Sequence, residues 1–382
     1  MSALIIVCQE GTRLLSLILG ISYGLEENDQ KDHGPMTHKS VIYPVFLPHA
    51  GCPFQCVYCN QRAVVSSPSY AASAAGIIGR FQEQFSQLLE HAREKHVAGE
   101  LAFYGGTFTA LPSAVMQEIL ETVTPWVKAE VFSGIRLSTR PDGITREICS
   151  LLRNYPIETV ELGVQSLADA VLIQSRRGYS VATVKRAATL VREQGWRLGL
   201  QLMLGLPGDS RVRFLDSIAA AVQLRPDLVR IYPTLVLAGT ELAAWRREGS
   251  YIPLSLDEAI SWCVPAYDFL FKANIPIARM GLHSDPELGK PGAVLAGPYH
   301  PAFGHLVRVY WWRERIDRHI RVNPELFPGR ELTLWVADRS RSEVIGPGKS
   351  NLRHWQEQWG FKQVTVKGRA GQLPGDFETL LN

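Results

Sequence analysis

From Val41 onward, short runs rich in Val, Ile, Leu and aromatic residues alternate with longer stretches whose apolar positions recur every three or four residues. The first pattern predicts strands and the second helices. "SVIYPVFLP", "ELAFYGGTF", "GIRLSTRPD", "TVELGVQS", "RLGLQLMLGLPGD" and "LVRIYPTLV" read as six strands. Between them, helices are predicted over Tyr70 to His96, Pro112 to Val127, Thr145 to Asn154, "LADAVLIQS" with "SVATVKRAATLVREQG", and Val212 to Leu224. Strands separated by helices at this spacing imply a parallel sheet whose right-handed crossovers curl it toward a barrel. The unusual residues follow the strands: Gly-Gly-Thr, Ser-Thr-Arg-Pro, Gln-Ser, Gly-Leu-Pro-Gly and Tyr-Pro-Thr. Glycine and proline end strands in any protein. Polar groups in all five loops point to one site at the strands' C-terminal ends.

Beyond His305 the repeat fades. "LVRVYWWRERIDRHIR" predicts a helix, and "ELTLWVAD" and "FKQVTVKG" predict strands flanking "SNLRHWQEQWG". The expected organisation is an extension over 1–40, a barrel over 41–305 and a small α/β appendage over 306–382. The extension is read as disordered or not native, with Met36 as the natural start. Its apolar run after Arg13 is too short to span a bilayer.

Composition narrows the class. At 46% hydrophobic, 20% charged and net charge +3, the 382-residue chain reads as globular and carries no strong nucleic-acid signature in its overall charge. Six cysteines are too few and too scattered for a disulfide framework, yet Cys52, Cys56 and Cys59 share the eight residues "CPFQCVYC". Clustered thiols in such a chain suggest a metal in a reducing cytoplasm. Four thiolates would close a zinc site or saturate a cubane; three leave one iron of a four-iron cluster open. A zinc site completed by His49 or a distant ligand, and inert burial of the thiols, are the alternatives.

C-x3-C-x2-C at the end of the first barrel strand, with Tyr58 before the last cysteine, resembles the radical S-adenosylmethionine (SAM) superfamily. The resemblance runs from about Val41 to at least His305. It implies an α/β fold, an open six-unit (β/α) partial TIM barrel, holding a [4Fe-4S] cluster on Cys52, Cys56 and Cys59. It also implies bound SAM, cleaved to a 5′-deoxyadenosyl radical with an electron from a reductant protein such as flavodoxin or ferredoxin. "YGGTFT" matches the superfamily's Gly-Gly segment and assigns Gly105, Gly106 and Thr107 to the cofactor, as Tyr58 is assigned. Ser138 stands where relatives carry a carboxylate or hydroxyl. Gln165 and Arg177, twelve residues apart, match an arrangement in oxygen-independent coproporphyrinogen oxidases. Gln201 stands where those enzymes carry aspartate. Arg177 also reads as a solvated surface cation, or as a structural partner of Glu161 inside the barrel.

Several stretches, among them "AFYGGTFTALP", "RIYPTLVLAGTEL" and "AGPYHPAFGHLV", look like bacterial relatives of the radical domain of Elongator's catalytic subunit. That likeness implies transfer RNA (tRNA) as substrate. The 77 residues after His305 are expected to be too few for an acetyltransferase domain, and no Gly-rich acetyl-CoA loop is visible. Arg308, Arg313, Arg315, Arg318 and Arg321, interleaved with Tyr310, Trp311 and Trp312, offer an RNA surface, or else an amphipathic helix with solvated arginines. Arg230 and Tyr232 are expected at the substrate end of the sixth strand. Tyr299 and His300 in "GPYHP" are candidates for proton transfer, or belong to a proline-rich turn. A porphyrin-like small molecule is the rival substrate, and a non-catalytic Fe–S module the rival class.

Overall fold

The six runs read as strands between Val41 and Pro233 pair in the order in which they occur along the chain. The computed structural model describes residues 4–7, 41–47, 52, 55–60, 73–282, 290–322 and 329–381. The strands are β1 (Leu4–Val7), β2 (Val41–Phe46), β3 (Gly99–Tyr104), β4 (Gly134–Thr139), β5 (Ile157–Gln165), β6 (Arg197–Leu204), β7 (Leu228–Pro233), β8 (Val236–Leu237), β9 (Ile277–Met280), β10 (Val294–Ala296), β11 (Glu331–Ala337), β12 (Gln363–Arg369) and β13 (Phe377–Leu381). Residues 39–303 form one compact unit; 304–382 form the other, whose sheet includes β1.

In the larger unit β2, β3, β4, β5, β6, β7 and β9 make one parallel sheet in that order. The intervening helices include α1 (Ala74–Lys95), α2 (Ser113–Lys128), α3 (Arg146–Leu152), α4 (Asp169–Gln174), α5 (Val181–Glu193), α6 (Arg211–Gln223), α7 (Glu241–Arg247) and α8 (Leu256–Lys272). Sequence periodicity located α1, α2, α3 and α6 to within a few residues. Serine or threonine oxygens cap α1, α3 and α6 at Ser73, Thr145 and Ser210, each accepting a backbone N–H that the first helical turn leaves unpaired.

Seven strands form this sheet where six were expected. The seventh, β9, is four residues long and follows Pro276, too brief for a period-two pattern to register. The apolar face of each strand packs outward: Leu101, Phe103, Leu137, Val160, Leu162, Leu198 and Leu200 are all buried. The other face turns inward and carries charge. Tyr104 on β3 touches Arg230 on β7, Oη to Nη2 at 3.0 Å. In a flat sheet these strands would stand about 19 Å apart, four spacings of about 4.8 Å. The sheet therefore curls into an open barrel, and its polar face becomes the lining.

The smaller unit is a four-stranded sheet in the order β1-β13-β11-β12, parallel only between β11 and β12. It is accompanied by α9 (Phe303–Val322), α10 (Arg341–Ile345) and α11 (Ser350–Trp359). The expected helix and two strands are present. β13 and β1 were not foreseen, and residues 4–7 pair with β13 although the segment was read as an extension outside the fold. The rest of 1–40 lies outside the described residues. Along α9 the arginines proposed as an RNA surface are largely engaged within the unit. Arg308 pairs with Glu343, Arg313 donates to Asn351, Arg315 donates to the Gly375 carbonyl, and Trp311 and Trp312 are buried. Arg318 and Arg321 remain exposed, Arg321 lying over the Trp359 ring. The amphipathic packing reading is the one realised for most of this stretch. Among the described residues no helix is long and apolar enough to cross a membrane.

Candidate active site

The cysteine segment follows β2 and is tied down from the far side of β5. Cys56 is buried, while Cys52 and Cys59 are half-buried, and none of the three is in a disulfide. His49, Gly51 and Pro53, which the sequence reading drew on for a fourth ligand and for the turn, lie outside the described residues. Arg177, in the turn after α4, is only 6% exposed. Its Nη1 donates to Cys56 Sγ at 2.9 Å and to Tyr58 Oη at 3.0 Å, its Nη2 to the Gly163 carbonyl at 2.8 Å, and its Nε to Tyr179 Oη at 2.9 Å. Arg140 in turn donates to the Arg177 carbonyl and pairs with Asp142. Arg177 is thus no solvated surface cation. Nor is it the partner of Glu161; it spans from the end of β5 to the thiol loop. Cys52 Sγ lies 3.3 Å from Thr107 Oγ1 in the Gly-Gly-Thr turn after β3.

The donor set fits an iron–sulfur cluster. It offers three thiols from one short loop, with a guanidinium and a hydroxyl already in hydrogen-bonding range of two sulfurs, the kind of contact that stabilises a negatively charged thiolate cluster. Among the described residues no three His, Cys, Asp or Glu side chains converge on one point as the ligands of a single ion would. A cubane makes a different demand, with each thiolate on its own iron.

Beside the thiols the backbone is opened and strained. Gly105 has φ of +98°, where a side chain is disfavoured. Gly106 and Ser138 line a small recess together with Tyr104 and Phe108. Gln165 holds φ of +64° at the end of β5, just past an irregularity in the β5–β6 register. Non-glycine residues in this region cost free energy and concentrate at functional sites. A Cβ at Gly163 would lie 3.1 Å from Gln165 Nε2 and 3.6 Å from Arg177 Nη2, so the predicted glutamine and arginine are neighbours.

Deeper in the barrel stands a charged layer around Glu161, which the sequence places inside the barrel but with Arg177 as partner; Glu100 and Arg136 were not singled out. Glu161, fully buried, accepts from Arg136 Nη1 at 2.7 Å, from Arg230 Nε at 2.7 Å and Nη2 at 3.0 Å, from Tyr104 Oη at 3.1 Å and from Gln201 Nε2 at 2.9 Å. Arg136 also pairs with buried Glu100. Burial opposes ionisation of Glu161, but Arg230 and Arg136 outweigh it and hold the carboxyl below its usual range. Burial and the Glu161 charge push the Tyr104 phenol up. Gln201 donates to Ser138 Oγ as well, at 3.1 Å, so the two polar residues assigned to the cofactor are linked through this layer. Lone charges at one phase of otherwise apolar strands, as in "GELAFY", "GIRLST", "VELGV" and "LVRIYP", were the signal available in the sequence.

The sequence-predicted residues therefore form two groups. One joins Cys52, Thr107, Cys56, Tyr58 and Arg177; the other joins Ser138, Gln201 and Arg230, with Tyr232 two residues further on the same face of β7. Among the described residues no hydrogen bond joins Tyr299 or His300 to either group. His300 Nδ1 accepts from the Ala302 N–H ahead of α9, a local turn role. Gly297, at φ +107°, presses this turn onto the β7–β8 connection, where a Cβ would meet the Thr234 carbonyl at 2.9 Å.

Residues 46–221 match the model of the radical SAM superfamily, and residues 226–313 match the Radical_SAM C-terminal domain. The chain belongs to the radical SAM superfamily. Its members bind a [4Fe-4S] cluster and SAM, and this chain is an enzyme of that class. An uncharacterised protein of Methanocaldococcus jannaschii is 28% identical over 247 residues, covering 62% of this chain and 74% of that one. A tRNA uridine(34) acetyltransferase of Methanocaldococcus infernus is 34% identical over 127 residues, 32% of this chain and 24% of that one. Its namesake in Dehalococcoides mccartyi is 28% identical over 231 residues, 53% of this chain and 50% of that one. This radical SAM chain thus matches between a quarter and a half of those acetyltransferases' length. The solved structure of M. infernus Elp3 with an N-terminal deletion shares the fold, with a TM-score of 0.54 at 22% identity over 73% of this chain and 64% of that one.

Proposed function

We propose that this chain is a cytoplasmic enzyme of tRNA modification whose Cys52, Cys56 and Cys59 hold the [4Fe-4S] cluster and whose barrel mouth binds SAM. The observation that carries the reading is the tie from Arg177 to Cys56 Sγ and Tyr58, which joins the thiol loop to the end of β5 beside the Gly-Gly turn. When bound and reduced, the cluster supplies the electron that cleaves SAM to a 5′-deoxyadenosyl radical.

The chain's own residues position and shield. Arg177 donates to the Cys56 sulfur and fixes the loop's orientation. Gly105 and Gly106 present backbone unobstructed by side chains, and Thr107 reaches Cys52. Gln165, Ser138 and Gln201 offer amide and hydroxyl groups for the polar parts of SAM. Tyr232 stands towards the substrate end of β7, with Arg230 behind it neutralised by Glu161, and Tyr299 and His300 are the proposed proton donors from the turn before α9. The electron arrives from a reductant protein such as flavodoxin or ferredoxin. tRNA is favoured as substrate because matches at 28–34% identity are to proteins named for tRNA uridine(34).

The test is anaerobic reconstitution with iron and sulfide, reduction in the presence of SAM, and measurement of released 5′-deoxyadenosine. Release is expected, faster with total tRNA than with a small-metabolite extract, and abolished in Cys56→Ala. Zinc uptake without iron, or full activity in Cys56→Ala, overturns the cluster assignment. Stimulation by metabolites and not by tRNA moves the substrate to the small-molecule class.

A further inference from the structure

Arg279, which the sequence did not single out, is brought to the barrel lining by a break in strand register. Val229 pairs with Ile277, but Arg230 pairs with Arg279, so Ala278 is skipped between them. In an unbroken ladder Arg230 would face Ala278, and Arg279 would point to the opposite side of the sheet. The bulge re-aims it. Residues paired across parallel strands share a face, and Arg230 is fixed on the interior face by Glu161 and Tyr104.

The two guanidiniums are in different situations. Arg230 is neutralised by Glu161, and Arg136 by Glu100 and Glu161, so both carboxylates of the interior layer are taken. Arg279 is half-buried, and among the described residues no hydrogen bond, ion pair or ring contact engages it. A partly desolvated cation without a counter-charge is unfavourable unless an anion comes to meet it. Arg279 lies next to the last residue of β9, at the C-terminal end where the site forms, and Tyr232 brings a phenol to the same end of β7. β9 is the edge strand opposite β2, the strand that leads into the cysteine segment.

We propose that Arg279, with Tyr232 beside it, receives an anionic group of the substrate, a phosphate or a carboxylate, on the β7–β9 side of the barrel mouth. This rests on the reading of that mouth as the active site. The fork-shaped guanidinium of Arg279 suits either anion through paired, charge-assisted hydrogen bonds.

The experiment is an equilibrium titration of the cluster-reconstituted protein with uridine 5′-monophosphate, with uridine and with succinate, for wild type, Arg279→Gln, Arg279→Lys and Tyr232→Phe. Loss of one charge-assisted pair is expected to weaken the anionic probe about tenfold in Arg279→Gln. Arg279→Lys should recover part of that loss, and Tyr232→Phe should cost about threefold. Uridine should be indifferent to all three. A response confined to the nucleotide names phosphate as the group, and one confined to succinate names carboxylate. Equal affinity of wild type and Arg279→Gln, or no probe bound better than uridine, overturns the proposal. Failure of SAM cleavage in the wild type is read separately, by 5′-deoxyadenosine, and bears on the cluster assignment alone. Thermal unfolding checks each variant, and Arg279→Lys keeps the test decisive should Arg279→Gln misfold.

Discussion

Glu161 shows how much one buried side chain can organise. Two guanidiniums, a phenol and an amide converge on its carboxylate. Removing it leaves Arg136 and Arg230 short of counter-charge in the interior, and breaking buried pairs of this kind costs about 3–5 kcal/mol. Glu161→Ala is expected to lose stability on that scale in denaturant unfolding, with Glu161→Gln losing less because the amide oxygen still accepts. Gln165 presents the converse case, a residue whose backbone is held against its preference at φ +64°. Gln165→Gly relieves that strain, so stability is expected to stay within about 1 kcal/mol of wild type. SAM-dependent 5′-deoxyadenosine release should fall sharply, since the amide is lost. A parallel fall in stability and release would mark Gln165 as structural only.

At the level of elements, α9 separates charge as composition from charge as surface. Its arginines drew attention as an RNA face, but Arg308, Arg313 and Arg315 are engaged by Glu343, Asn351 and the Gly375 carbonyl. Arg313→Gln is therefore expected to lower the thermal stability of the chain and leave the salt dependence of tRNA binding unchanged. A drop of about one in the magnitude of the log–log salt slope per arginine would show a phosphate contact instead. The β7–β9 pair makes a related point. "IPIARMG" carries no period, so neither the strand nor the bulge that turns Arg279 inward was visible in the chain alone.

For the whole molecule, the pH dependence of stability carries the signature of a carboxyl in the loop after β6. Asp209 accepts from the Gly205 and Ser210 N–H groups, yet burial raises its pKa from 3.8 to about 6. The folded state then binds more protons than the unfolded chain between those values, so Asp209 contributes stability that is present at low pH and lost as pH rises through about 6. Comparison with Asp209→Asn removes the constant part of the substitution. The stability of wild type relative to the variant should be greater at pH 4.5 than at pH 7.5, by at most about 2 kcal/mol, since solvent screens a half-buried group. A pH-independent difference in chemical denaturation would refute the shift.

The sequence by itself determined the alternation of strands and helices, the parallel sheet, the thiol loop and most of the polar residues at the strand ends. Those features are local: they rest on hydrophobic period, turn chemistry and the spacing of side chains within one segment. Only the tertiary structure decided which polar residues meet. Arg177 joins Cys56 across 121 positions, and Arg230 joins Glu161 across 69. Curling the sheet brings strands that are far apart in order to one axis, and desolvation there pairs each charge with whatever opposite charge or acceptor it faces. β1 on β13 and Arg279 beside Arg230 belong to the same class, because strand register is a property of two segments and is written in neither alone.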